Sequence, residues 1–304
     1  MKLGKKVALW FVVPFALFFI LFWVVPFFYG LYMSLHSFSL INGNRGFIGL
    51  GNYTKILFSG SMYHTSFFLG LKNTLIFVVL STPPLVLISL VLALLVDHLP
   101  NKAKGVFRTI YFVSYSVSVT AVASIFIWML KGNGGYINNL LIGMKIISAP
   151  IPFLESQPFV WLSLTIATVW WTIGYNMMLF INALNEIDVS IYEASAIDGA
   201  GFWTQFRKII IPNIKNVSFF VLMTTIIASF NVYGQPRLMT SGGPGQTTKP
   251  LIMIINSTIM DQNNMGVGNA MAISMGLIVM VVSLGQYFMT REKAIQTVAI
   301  PKTE

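Results

Sequence analysis

Glu193, Asp198, Arg207 and Lys208 stand close together in a chain that otherwise keeps charge sparse. They belong to one segment, Tyr192-Glu193-Ala194-Ser195-Ala196-Ile197-Asp198-Gly199-Ala200, which continues through Phe202, Trp203 and Phe206 to Ile209-Ile210-Ile211-Pro212. Small, acidic, aromatic and basic side chains alternate there between two long apolar runs. Such a set suits recognition, with aromatic contact flanked by charge, rather than bond breaking. Candidates for covalent chemistry are few. There is no cysteine, so thiolate, disulfide and iron–sulfur chemistry is absent. His36, His64 and His98 fall at or near the edges of apolar runs, where a histidine without a chemical role is the ordinary case. No Gly-x-x-x-x-Gly-Lys-Ser/Thr occurs, since Val7 follows Gly4-Lys5-Lys6. The chain therefore lacks a phosphate-cradling P-loop and is not expected to hydrolyse ATP.

The elements around this segment follow from hydropathy. Of 304 residues 56% are hydrophobic and 9% charged, with a mean hydropathy of +0.76, against about 25% charged in a soluble domain. Stretches free of Asp, Glu, Lys and Arg cover 7–44, 73–96, 109–130, 156–185, 216–236 and 262–290. Each exceeds the roughly 20 residues that carry a helix across a bilayer core of about 30 Å. In lipid every backbone group must be satisfied within the segment, so these are helices. They are continuously apolar rather than alternating, which excludes an outer-membrane barrel. The expectation is an all-α membrane protein of six transmembrane helices, at about 8–34, 67–97, 107–130, 158–184, 213–235 and 269–290. They form a single domain over 1–304 with no soluble appendage, and the charged loop is 185–212.

Orientation follows from the basic residues. With the N-terminus inside, twelve of the nineteen fall inside (Lys2, Lys5, Lys6, Lys102, Lys104, Arg108, Arg207, Lys208, Lys215, Arg291, Lys293, Lys302) and seven outside. Both termini are thus expected to be cytoplasmic, in a multi-pass protein of the cell membrane. The same distribution accounts for a net charge of +10 and disfavours nucleic-acid binding, which would gather the cations into one stripe. The first span is too long for a signal-peptide core and lacks a small-x-small cleavage site, so it is read as an anchor.

Within the loop, Ser190-Ile191-Tyr192-Glu193 matches a capping box and predicts a helix that starts after Ser190. Gly199 or Gly201 supplies the left-handed turn that ends it. Phe202 to Lys208 forms a second short helical stretch, and Pro212 suits the first turn of the fifth span. On physical grounds alone, this pair of short helices could lie on lipid headgroups or dock a protein.

The spans also carry uncharged polar groups: Asn73 and Thr74 in the second, Trp170, Trp171, Tyr175 and Asn176 in the fourth, Thr225, Ser229 and Asn231 in the fifth. At i, i+4, i+8, Thr225, Ser229 and Tyr233 would share one helix face, and Trp171 and Tyr175 another. Aromatic faces beside hydroxyl and amide groups suit sugars. Helix packing and an interfacial aromatic belt explain the same residues singly. Almost no ionisable side chain lies mid-span, which counts against a proton-coupled carrier.

Glu193, Ala194, Gly199, Ile209 and Pro212 fall at the positions of the EAA motif, Glu-Ala-Ala, three residues, Gly, nine residues, Ile-x-Leu-Pro. The chain resembles the permease subunits of ATP-binding cassette importers, which carry that motif. Ser195 replaces its second Ala, and Ile211 its Leu. Asp198-Gly199-Ala200, Gly242-Gly243-Pro244, Phe47 to Tyr53 and Asn73-Thr74 look like the carbohydrate branch, of the maltose-permease F-like or glycerol-phosphate-permease A-like type. The resemblance implies a type I importer permease core that forms half of a translocation path. A second permease subunit would complete the path. Two ATPase subunits would bind ATP and Mg, an extracytoplasmic solute-binding protein would deliver a sugar or oligosaccharide, and this chain would bind no cofactor or metal. It also implies that Glu193, Ala194, Ser195, Asp198, Gly199, Phe202, Phe206, Arg207 and Pro212 couple to the ATPase. Trp171, Tyr175, Asn176, Thr225, Ser229, Asn231 and Tyr233 would line the substrate path. Alternatives are a glycerol-phosphate or other polar-solute importer, a self-contained secondary carrier, and an exporter or scaffold. A phosphorylated substrate should meet Arg or Lys in the path, and Arg237 lies only at its outer edge.

Overall fold

The structure, a computed structural model, describes residues 5–58 and 60–298, with side chains for 10–58, 60–100 and 102–288. Lys2, Lys302 and both chain ends, which enter the orientation argument, lie outside the described residues. In chain order the elements are α1 (Lys5–Phe19), a π turn (Ile20–Val24) and α2 (Val25–Ser34). A hairpin of β1 (His36–Ser39) and β2 (Gly43–Phe47) comes next, then α3 (Gly51–Leu57) and α4 (Met62–Asp97). α5 (Asn101–Ser116), α6 (Val119–Leu130), α7 (Tyr136–Gly143) and α8 (Phe159–Asn185) follow. The loop contributes α9 (Val189–Ile197), α10 (Phe202–Gln205), a π turn (Phe206–Ile210) and α11 (Ile211–Asn213). α12 (Lys215–Phe230), α13 (Leu251–Met260) and α14 (Met265–Val298) close the chain.

Four stretches are uninterrupted helices long and apolar enough to cross a membrane: Trp10–Ser34, Met62–Asp97, Phe159–Asn185 and Met265–Phe288. They overlap the predicted spans one, two, four and six. The other two predicted spans are each part of a bent pair. Lys102–Ser116 and Val119–Leu130 meet at 96°, and Phe202–Asn213 and Lys215–Phe230 at 68°. The first bend has a local cause. Val117 is extended, and the Ser118 side chain accepts from the Ala121 N–H, so a cap starts a new helix where a continuous one was predicted. Up to six spans result if each bent pair is counted as one.

The chain divides into two compact units. One comprises residues up to Gly70 with Leu251–Ile278. There the buried Asn52 carboxamide donates to the carbonyls of Ser34 (2.8 Å) and His36 (2.9 Å), satisfying acceptors freed where α2 ends. Gly70 passes so near Leu251 that a Cβ would lie 2.8 Å from its Cα. The apolar window of Trp10–Ser34 buries none of its residues.

The second unit comprises Leu71–Pro250 with the residues from Val279 on. Its main helix pair is α5 and α8, whose backbones touch: a Cβ on Gly174 would lie 2.0 Å from the Tyr111 carbonyl oxygen. An apolar cluster toward the Asn185 end of α8 joins Leu94, Met177, Phe180, Leu184, Ile210 and Ile214. Another, toward the Phe159 end, joins Phe77, Val122, Phe126, Leu164 and Val232. Buried Asn73 donates to the carbonyls of Gln246 and Lys249 at 2.9 and 3.0 Å, holding the Gly-rich loop against α4.

Candidate functional site

Between the two clusters lies a cavity of about 380 Å³. From α8 it takes Thr168, Trp171, Thr172, Tyr175 and Asn176, the i, i+3, i+4, i+7, i+8 stripe of one helix face. α12 contributes Thr225 and Ser229, and the chain beyond it Asn231, Tyr233 and Gln235. All seven residues proposed for the path from the sequence line this one space. One reason given for them fails, however. α12 ends at Phe230, so Tyr233 does not extend a face of that helix but arrives on irregular chain. Trp170, also noted in the sequence, turns elsewhere. It lies edge-on to Phe126 and lines a separate apolar groove of about 1030 Å³ among α4, α5 and α8.

One wall is aromatic. The rings of Tyr115 and Tyr175 stack at 5.1 Å, and Trp171 lies 6.2 Å from Tyr115. The Trp171 indole N–H donates to the Val117 carbonyl at 2.9 Å, so this ring also secures the α5–α6 bend. Other lining residues are polar and cross-linked between helices. Asn176 Nδ2 donates to Thr225 Oγ1 at 2.9 Å, and the hydroxyls of Ser229 and Ser81 are 3.1 Å apart. Among the described residues, no Asp, Glu, Lys, Arg or His lines the cavity. Tyr115, Thr168, Thr172 and buried Gln235 escaped the sequence reading. Thr168, Thr172 and Asn176, four apart, were its available signal.

The loop is built differently. Its first helix is capped by Asp188, whose carboxylate accepts from the Ser190 N–H at 2.9 Å, and not by Ser190 as the capping box implied. Asp competes well for a cap, and here it stands two residues before Ser190. The hydrogen bonds from Ser190 hold the Asp188 carboxyl below its ordinary value of 3.8, against a smaller opposing effect of burial. Gly199 ends α9 at φ +75°, and Gly201 begins α10 at φ −73°. Ser195 Oγ donates to the Tyr192 carbonyl (2.8 Å) and accepts from Gln205 Nε2 (2.9 Å), so the serine that departs from the EAA pattern ties α9 to α10. Pro212 lies in α11, before the bend into α12.

Glu193, Ala194, Asp198, Gly199, Phe202, Arg207 and Pro212 are exposed, and Ser195 is half-buried. Phe206 differs. It packs into the cluster at the Asn185 end of α8 and stacks on Phe202 at 6.2 Å, so it supports the surface from below. The most exposed large apolar residues of the loop are Phe202 and Trp203 with Val189 and Ile197, and Ile197 is 87% exposed. The sequence reading passed over the last two.

The structure thus holds an uncharged cavity among its long apolar helices and a helical loop with exposed apolar side chains. A model of the family "Binding-protein-dependent transport system inner membrane component" matches residues 56–292. The chain belongs to this family. The permease is 31% identical over 284 residues to the probable ABC transporter permease protein YurN of Bacillus subtilis, covering 93% of this chain and 95% of that one. It is also 31% identical to the lactose transport system permease protein LacF of Rhizobium radiobacter, covering 81% and 82%. Against the sn-glycerol-3-phosphate transport system permease protein UgpA of Pectobacterium atrosepticum it is 31% identical, covering 79% of each. Its fold matches a chain of a bacterial ABC transporter that imports the acidic polysaccharide alginate, with a TM-score of 0.81, 20% identity and coverage of 95% and 96%. The permease is thus a multi-pass inner-membrane component of a binding-protein-dependent ABC importer.

Proposed function

We propose that this permease forms half of the translocation path for a neutral sugar or oligosaccharide. Six spans, with the two bent pairs as spans three and five, form one domain with both termini in the cytoplasm. A second permease subunit completes the path, and an extracytoplasmic solute-binding protein delivers the substrate. Two ATPase subunits hold ATP and Mg and engage the 185–212 loop through Phe202 and its exposed neighbours, shaped by Glu193, Ser195 and Gly199. Several relatives are named for carbohydrate transport, which supports the substrate class.

The observation that carries the substrate class is the cavity wall. Tyr115, Tyr175 and Trp171 offer aromatic rings in the same lining as hydroxyls and amides from Asn176, Thr225, Ser229 and Gln235. A pyranose has the matching two surfaces, C–H faces and hydroxyl edges. The glycerol-phosphate reading is disfavoured because no cation lines the wall to meet a phosphate. The test is uptake into proteoliposomes holding both permeases, the ATPase and the binding protein, across a panel of neutral sugars, uronates and glycerol 3-phosphate. Neutral-sugar uptake that drops on Tyr175→Ala, with assembly intact, is expected. Preferential uptake of the phosphate would refute the reading.

A further inference from the structure

Between α4 and α5 the chain turns through His98, Leu99 and Pro100, and this hairpin is fastened. Lys104 Nζ donates to Asp97 Oδ1 at 3.0 Å, with 22% and 28% of the two side chains exposed. It is the one ion pair among the described residues. The His98 ring is held by a bond of Nδ1 to the Leu94 carbonyl oxygen at 2.7 Å. From that position it lies edge-on to Phe202, with centroids 5.9 Å apart. Phe202 stacks on Phe206, which is seated in the apolar cluster. The end of α4 also meets the other loop helix, because Tyr192 of α9 packs on the cluster that includes Leu94 and Val96, just before Asp97. Burial first, and then the negative charge of Asp97, holds the Tyr192 phenol proton above its ordinary value of 10.0. One hairpin therefore meets both loop helices, α9 through Tyr192 and α10 through Phe202.

No covalent segment links the loop directly to α5, yet α5 carries Tyr115 at the cavity. Motion of the loop reaches that wall only through contiguous contacts. Helix packing at Gly174 provides one route, through α8. The hairpin provides a second, directly into the first turn of α5.

We propose that the Asp97–Lys104 hairpin is a positioning element that transmits displacement of α9 and α10 to α5, and so to the Tyr115 wall. This rests on the reading that the loop docks an ATPase. The ion pair makes the ends of α4 and α5 move together, and His98 and Asp97 engage the loop helices.

The absence of cysteine allows a single reporter. Lys102, exposed in the first turn of α5, is replaced by cysteine and labelled with an environment-sensitive fluorophore in the assembled complex. Mg-ATP should shift its emission. Asp97→Asn should reduce that shift about fivefold, the lower end of measured site-to-site couplings, with ATPase retention and folded yield unchanged. The exchange Asp97→Lys with Lys104→Asp should restore it. Should Asp97→Asn fail to fold, His98→Ala, which leaves the ion pair intact, gives the same comparison. An equal shift in the variants and the parent overturns the proposal, as does an exchange that restores nothing. A silent label in a complex that retains and turns over its ATPase overturns the hairpin alone. A permease that retains no ATPase overturns the docking reading and the hairpin with it.

Discussion

The cavity and the loop divide the chain's side-chain chemistry between them. In the cavity the polar groups are uncharged, and several already have partners within the protein: Asn176 bonds Thr225, and Ser229 bonds Ser81. In the loop the charged groups are exposed, and the apolar ones, Ile197 and Trp203 above all, lack cover. Between membrane helices a polar group must find an internal partner, so a passing solute meets only the remaining lone pairs and protons. That favours loose, transient binding. In the loop water satisfies the charges, and the unmet demand is apolar surface, which favours a protein partner. On the proposed function, the same chain would pair a weakly binding wall with an adhesive docking face.

Substitution of glycines separates the two regions most sharply. Gly174→Val forces side-chain carbon into the Tyr111 carbonyl and should cost about 3 kcal/mol or more. It should abolish folded permease in detergent, seen as loss of the monodisperse species in size exclusion. A stable Gly174→Val protein would mean that α5 and α8 do not depend on this contact. Gly199→Asp meets no neighbouring atom, since nothing lies within 4 Å of a Cβ there. Its penalty is the left-handed backbone alone, about 1–2 kcal/mol, or about five- to thirtyfold in an equilibrium. Coupled uptake should fall by that order with folded yield preserved. An uptake deficit matched by an equal yield deficit would erase the contrast between the regions.

The smallest effect concerns Asp188. Its folded pKa is lowered, so the contribution of its cap is complete above the ordinary value of 3.8 and is lost as pH falls through the lowered value. Amide exchange at the start of α9, corrected for intrinsic rates, should therefore rise in acid in the parent. In Asp188→Asn, which caps without titrating, it should stay flat. A matching acid response in both proteins would assign the effect to another group.

The hydropathy of the chain made four helices legible, because a continuous apolar run of this length has few alternatives in a bilayer. It did not reveal the bend at Val117. No Gly or Pro marks that point, and Ser118 caps only because Val117 turns extended. The β1–β2 hairpin had a local signal in Asn42-Gly43, but it lay between apolar segments that drew attention to spans. Helix α13 was hidden in what reads as a long loop. In the charged segment Gly199 was placed correctly as one of two candidates for the left-handed turn, and the structure separates it from Gly201 by the sign of φ. Asp188 and Ser190 are both good caps two residues apart, and propensity cannot rank them without the backbone. The cavity residues were legible as polar interruptions in apolar runs. What the sequence did not disclose was that Trp171 spends its indole N–H on the bend. That makes Tyr175 the cleaner probe of solute contact.

The touching backbones at Gly174 have a mechanical consequence. With no side chain between α5 and α8 at Gly174, the crossing would act as a fulcrum about which the two helices can tilt but not approach further. Trp171 is three residues from it and the Asn185 end eleven, about 4.5 Å and about 16 Å along the axis at 1.5 Å per residue. Any tilt about that point moves the loop end of α8 more than three times as far as the aromatic wall. On the proposed function, a broad swing at the loop end would arrive at the aromatic wall as a small, forceful one.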